Sequence, residues 1–207
     1  MIFETVVVGE LGVNCYILAQ AAGGKAVVID PGDDEEAVKA ALARHGLGVA
    51  AVVNTHGHFD HIGCDDCFSA PVYIHGDDAG MLTDSRLNGS AFFIGPLKVK
   101  AKAVEVSDGQ VIEHAGIKLR VIHTPGHSRG GICLQLLEPE QGMVFTGDTL
   151  FAGSVGRSDF AGGDAAALLE AIRTKLLVLP DATKLYPGHG PATTVGREKR
   201  HNPFFAE

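Results

Sequence analysis

The stretch Thr55-His56-Gly57-His58-Phe59-Asp60-His61 constrains this chain more than any other. It places four side chains able to give a lone pair to a metal (His56, His58, Asp60 and His61) close together in one short segment. Directly before it runs Val49-Ala50-Ala51-Val52-Val53, with the length and β-branched content of a buried parallel strand. The four donors therefore sit at a strand's carboxyl end, where open α/β sheets place their sites. In extended backbone the side-chain period is two, so His56 and His58 point to one side and Asp60 and His61 elsewhere. One short loop can thus feed two adjacent metals, and imidazole nitrogen and carboxylate oxygen are donors that zinc accepts. The plain alternative is a polar loop with Asp60 as a helix N-cap.

Element order extends this reading. Residues 2–8, 14–19, 25–29, 49–53 and 72–74 read as strands, with a helix after Asp33 or Asp34 to about His45 on an apolar stripe of Ala37, Val38, Ala41 and Leu42. A helical turn near Asp77–Leu82 precedes Thr83–Pro96, which is turn-rich and reads as a long surface loop. The pattern then restarts: strands at 104–106, 111–113, 118–122, 132–137 and 143–146, an amphipathic helix Ala165–Leu177, and a last strand Lys184–Tyr186. Two successive strand-then-helix sets without a Pro/Ser-rich linker imply one domain over 1–207, an α+β fold of two similar halves with sheets face to face and helices outside. The 27 glycines fit many tight turns around a site.

A net charge of -8 argues against nucleic acid or an anionic membrane as partner. The N-terminus lacks the basic and apolar regions of a signal peptide, and no apolar run reaches membrane-spanning length, so a cytoplasmic protein is expected. Four cysteines do not make a disulfide scaffold. Cys64 and Cys67 form a lone Cys-x-x-Cys, expected as two partly buried free thiols.

Three later strands also end in a possible ligand beside glycine. They run into His123-Thr124-Pro125-Gly126-His127, Gly147-Asp148 and Pro187-Gly188-His189-Gly190. Together, His56-x-His58-x-Asp60-His61, His127, Asp148 and His189 resemble the metallo-β-lactamase superfamily in order and spacing. That resemblance implies a four-layer αββα sandwich with metals at one edge between the sheets. It also implies roles: His56, His58 and His127 for the first metal, Asp60, His61 and His189 for the second, and Asp148 between them. Gly147-Asp148-Thr149-Leu150-Phe151, Gly156-Arg157-Ser158-Asp159 and the tail segments Gly196-Arg197 and His201-Asn202-Pro203-Phe204 resemble the short bacterial hydroxyacylglutathione hydrolases.

The chemistry so implied is hydrolysis of a small-molecule thioester by a hydroxide shared between two divalent ions, with Asp60 also orienting the nucleophile. Zinc is the expected metal, and the same nitrogen and oxygen donors suit iron and manganese. No further acid is anchored in these motifs, which suits a leaving group that departs as an anion, as a thiolate does. Arg157 is the candidate for gripping a substrate carboxylate, with an internal salt bridge to Asp159 as the alternative. Asp30, between a strand and Pro31-Gly32, is expected to support the site through hydrogen bonds or to cap a helix. The chain departs from the larger glyoxalase II enzymes in three ways. It ends soon after His189, where they carry a helical glutathione-gripping extension, it has Asp159 where they carry a tyrosine, and His189-Gly190-Pro191 lacks the tyrosine that follows their last metal histidine. The other reading of the same motifs is a persulfide dioxygenase holding one iron on His56, His127 and Asp148. Either would be a monomer or homodimer.

Overall fold

The computed structural model describes residues 1–206. Strand β2 (Val13–Ala19) shows why the sequence builds layers, because every residue in it is buried. Its side chains alternate between two apolar clusters: Cys15, Ile17 and Ala19 enter one, Tyr16 and Leu18 the other. The neighbouring strand β3 (Lys25–Ile29) repeats the pattern, with Ala26 and Val28 on one face and Val27 and Ile29 on the other. A strand that is apolar on both faces must be covered on both, and that sets the layer count.

With β1 (Ile2–Val8), β4 (Gly48–Val53), β5 (Val72–His75) and β6 (Ala103–Val106), these strands form a six-stranded sheet in sequence order. β1, β2 and β3 pair antiparallel, then β3 to β6 run parallel. The second sheet comprises β7 (Val111–His114), β8 (Ile117–His123), β9 (Ile132–Glu138), β10 (Met143–Gly147), β13 (Lys184–Pro187) and β14 (Thr193–Thr194), in the order β14-β13-β10-β9-β8-β7. Only its β10–β13 pair is parallel. Between these two lies a small hairpin of β11 (Leu150–Phe151) and β12 (Ser154–Val155).

The sheets meet through a shared core that includes Leu18, Ile29, Ile117, Leu119, Ile132, Leu134 and Phe145. Burying each such side chain contributes about 1.5–3 kcal/mol, so this layer outweighs any single hairpin in holding the halves together. Helix α1 (Glu35–Arg44) covers the outer face of the first sheet through Val38, Ala41 and Leu42. After the short helices α2 (Phe59–Ile62) and α3 (Ser90–Phe93), helices α4 (Ala165–Ala171) and α5 (Val195–His201) cover the second through Leu168 and Val195. The fold is the expected αββα sandwich, with mixed sheets.

Details of the expectation change. Asp34 stands at the N-terminus of α1 but has φ 50° and does not cap it with its side chain. Its carboxylate instead accepts the Gly9 N–H at 2.8 Å, tying the β1–β2 turn to the helix start. Ala37 is exposed rather than part of the stripe. The helix expected over 165–177 is α-helical only to Ala171, and its last turn, Ile172–Leu176, is a π-helix closed by the Leu177 N–H on the Ile172 carbonyl. Thr83–Pro96 is more ordered than a plain loop. Buried Asn88 donates to the Met81 and Leu97 carbonyls and accepts the Ser90 N–H, and this seeds a short helix at Ser90–Phe93. Among the described residues, no helix is long and apolar enough to cross a membrane.

Candidate metal centre

Four strand ends converge at one edge of the sandwich. β4 delivers Thr55 to His61, the turn after β8 delivers His127, β10 delivers Asp148, and β13 delivers His189. His56 Nε2 lies 3.2 Å from His127 Nε2, and His58 Nδ1 lies 2.9 Å from that same atom. Beside this first set, His61 Nε2 and His189 Nε2 lie 3.7 and 3.4 Å from Asp60 Oδ2. Asp148 reaches both sets, with Oδ1 3.5 Å from His61 Nε2 and Oδ2 3.6 Å from His127 Nε2 and from His189 Nε2. All seven residues singled out in the sequence are therefore brought together, in the expected two sets. Asp60 lies inside a one-turn helix, Phe59–Ile62, rather than at its cap.

The far side of each ring fixes which nitrogen offers its lone pair. His61 Nδ1 meets Asp30 Oδ2 at 3.0 Å, His127 Nδ1 meets the Arg157 carbonyl at 2.8 Å, and His189 Nδ1 meets the Leu11 carbonyl at 3.0 Å. Each acceptor requires an N–H there, so Nε2 is the nitrogen left to meet a metal at the centre. For His56 the partner is the Thr55 hydroxyl at 3.2 Å, which spends its own proton on Asp30 Oδ2 at 2.7 Å. His56 Nδ1 is then the donor, and its Nε2 also faces inward.

The three ring nitrogens lie within 4.8 Å of one another, a spacing that a cation among them would fill. The second set carries a matching signature: His61 Nε2 and Asp148 Oδ1 are buried without a hydrogen-bond partner among the described residues. Buried polar atoms are rarely left so, and a divalent cation would satisfy both. The residues thus fit two metal ions, one on His56, His58 and His127 and one on Asp60, His61 and His189.

Asp30 does what its place after β3 suggests, accepting from Thr55 N at 2.7 Å, Thr55 Oγ1 and His61 Nδ1. Three other supports escape sequence reasoning. Asp78, 1% exposed, accepts from Gly57 N, Ser128 Oγ at 2.6 Å and Gly130 N at 2.7 Å. It staples the loop bearing His56 and His58 to the turn bearing His127. Its one available signal is that it closely follows β5, at the same sheet edge as the motif. Asn14 holds the His189 turn, its side chain donating to the Pro187 and Gly190 carbonyls, both at 2.9 Å. The third support is the Arg157 carbonyl itself. The Arg157 guanidinium makes a two-pronged pair with Asp159, both contacts at 2.9 Å, and lies 4.1 Å from the Phe160 ring centre. Cys64 and Cys67 are free thiols, and burial, with Cys67 close by, pushes the Cys64 thiol up to about 12.

The two sets differ in how they hold protons. Burial pushes the His58 ring down to about 4, helped by the facing His127. Burial, with His61 and His127 adjacent, likewise holds His56 well below the ordinary imidazole value. At His61 burial works the same way, yet Asp60, Asp148 and Asp30 outweigh it and raise the ring well above that value. His189 is raised too, as Asp60 and Asp148 prevail over burial. A proton competes with a metal for these nitrogens. In the metal-free protein the rings of His61 and His189 are therefore expected to take up a proton at higher pH than those of His56 and His58. An imidazole NMR titration of the metal-free protein checks this, and His58 protonating before His61 would contradict it.

The family model described as the metallo-beta-lactamase superfamily matches residues 8–189. The chain belongs to the metallo-β-lactamase superfamily. Within it, an uncharacterized protein of Mycobacterium tuberculosis is 43% identical over 95% of this chain and 94% of its own. A hydroxyacylglutathione hydrolase, GloC, of Haemophilus influenzae is 35% identical over 86% of each chain. Among solved structures, the B3 metallo-beta-lactamase BLEG-1 superposes with a TM-score of 0.92 at 38% identity, over 100% of both chains. A di-iron-bound protein, TTHA1623, gives 0.84 at 38% identity over 97% of this chain and 99% of that one. The superfamily fold and the His/Asp clusters make this chain a metal-dependent hydrolase.

Proposed function

We propose that this hydrolase cleaves thioesters, as an enzyme of the hydroxyacylglutathione hydrolase type with two metal ions. When bound, such a pair supplies a water nucleophile ionised near neutral pH and a Lewis acid for the carbonyl oxygen. The chain's own residues do the rest. Asp60 orients the attacking water through its carboxylate, and Asp30, Asp78 and the Arg157 and Leu11 carbonyls keep the histidine rings aimed.

The observation that carries the thioester reading is how the remaining histidines are used. His45 pairs with Glu4 at 2.9 Å, His114 with the Tyr73 hydroxyl at 2.7 Å, and His75 and His123 stack on each other at 4.0 Å. His201 lies on α5, the covering helix. None of these is placed to protonate a leaving group at the centre. A thiol with a pKa of about 8.5 leaves as a thiolate without such help, whereas an alkoxide does not. The resemblance to GloC points the same way.

The test is metal content per chain on protein purified without added metal, paired with hydrolysis of S-D-lactoylglutathione. Two ions and turnover support the reading. One iron, no hydrolysis and oxygen uptake with glutathione persulfide would replace it with the dioxygenase. The match to BLEG-1 favours one second reading, β-lactam hydrolysis. Cleavage of a chromogenic cephalosporin in preference to any thioester would establish that instead.

A further inference from the structure

We propose that the groove beside the Asp60–His61–His189 set is an acyl subsite that selects apolar, uncharged, medium-chain acyl groups. The proposal rests on the thioesterase reading and names its substrate class. The groove encloses about 550 Å³, within the range of small-molecule sites. It is lined by the β1–β2 turn with Leu11, by Phe93, Ile94 and Leu97, and by Val13 and Phe59, the last stacked on Phe93. Gly32 and Gly63 line it without side chains, and a Cβ on either would run into the other loop's backbone.

Two features join the groove to the metal centre. Asp60 lines it, and the Leu11 carbonyl orients His189. The opposite flank of the centre has a different character. There Phe160 packs 5.3 Å from the His58 ring and carries the Arg157 guanidinium on its face. A thioester carbonyl has two substituents. The polar thiol carrier matches the flank of the Arg157–Asp159 pair, and the acyl tail matches the apolar groove.

Exposure points to an occupant as well. Leu11, Phe93 and Ile94 are 57%, 66% and 63% exposed, although they stand along one groove. A bound alkyl chain removes that surface from water. The charged side chains lining the groove, Glu10, Asp33 and Asp60, are all acidic. A tail ending in a carboxylate is repelled there.

The experiment is a kinetic series on metal-loaded protein with acetyl, butyryl, hexanoyl, succinyl and D-lactoyl thioesters of glutathione, repeated with coenzyme A. Expected is a kcat/KM rising about two- to fourfold per methylene up to hexanoyl. Succinyl should fall about tenfold or more below butyryl through like-charge repulsion. Phe93→Ser and Ile94→Ser should flatten the series, whereas Val178→Ser, an exposed apolar position outside the groove lining, should leave its slope intact. Separately, hexanamide titrated into zinc-loaded protein should shift the methyl resonances of Leu11 and Ile94. A flat series, or hexanamide that leaves those resonances unmoved, overturns the subsite. If no thioester is hydrolysed, the thioesterase reading has failed, and the hexanamide titration alone decides the groove.

Discussion

Asp148→Asn is expected to cost the protein its metal pair. The carboxylate stands among His61, His127 and His189, and these three hold its carboxyl far below the usual carboxylate range although burial pulls the other way. No other side chain of the seven reaches ring nitrogens of both sets through separate oxygens. The amide keeps the shape, removes the charge, and turns an N–H₂ toward a ring lone pair. Removing one partner of a buried charged pair costs about 3–5 kcal/mol, or roughly 10²- to 10³-fold or more in affinity. Metal content should fall below two ions per chain and turnover should fall at least as far. Thermal unfolding of the metal-free protein should also move to lower temperature, since His61, His127 and His189 lose the same carboxylate. A variant that keeps both ions and most of its activity would remove Asp148 from its place between them.

Gly188→Ala should do comparable damage with one methyl group. Gly188 lies between Pro187 and His189, and its N–H bonds to the Gly147 carbonyl at 2.8 Å. Its φ is negative, so alanine suits the backbone. Space is what forbids it: a Cβ would collide with Asp148 Oδ1 and stand 2.7 Å from His61 Cε1. Both neighbours are candidate ligands, so the methyl forces them off their positions. A misplacement of about 1 Å can cost about 10²-fold in rate, and overpacking typically costs about 1–3 kcal/mol in stability. The expected result is a folded protein with a lower melting temperature, a weakened second metal and activity down about 10²-fold. Wild-type metal affinity in Gly188→Ala would show that the turn can yield.

These two residues also mark what sequence can and cannot tell. The seven candidate ligands were legible because each follows a strand, and His56, His58, His127, Asp148 and His189 also sit beside glycine; both are local signals. Asp30 was legible for the same reason. The face-to-face sheets followed from the order of strands and helices, and the αββα layering from the resemblance; strands apolar on both faces, β2 and β3, show why it holds. Asp78 was not legible, since it lies in a 3₁₀ turn beside Asp77 and its partners come from Gly57, Ser128 and Gly130. The carbonyls of Leu11 and Arg157 could not have been found at all, because a backbone acceptor leaves no mark in the residue type. The missed N-cap of α1 has a similar origin. Asp34 has the right side chain in the right place, but the distant Gly9 competes for it and wins. The acyl groove depends on how two loops face each other, which no local pattern records.

The hold of Asn14 on the His189 turn has a consequence for how the protein is made. That hydrogen bond to Pro187 spans 173 residues, and Tyr16 adds another to the same carbonyl at 2.6 Å. On the ribosome, the histidines of the first set are all synthesised well before His189. A nascent chain can therefore present half a metal centre, yet it cannot complete the second half until β13 has returned to the first hairpin. Loading of the second ion thus reports that both ends of the chain have been joined, and it confines full hydrolytic power to molecules that have finished folding.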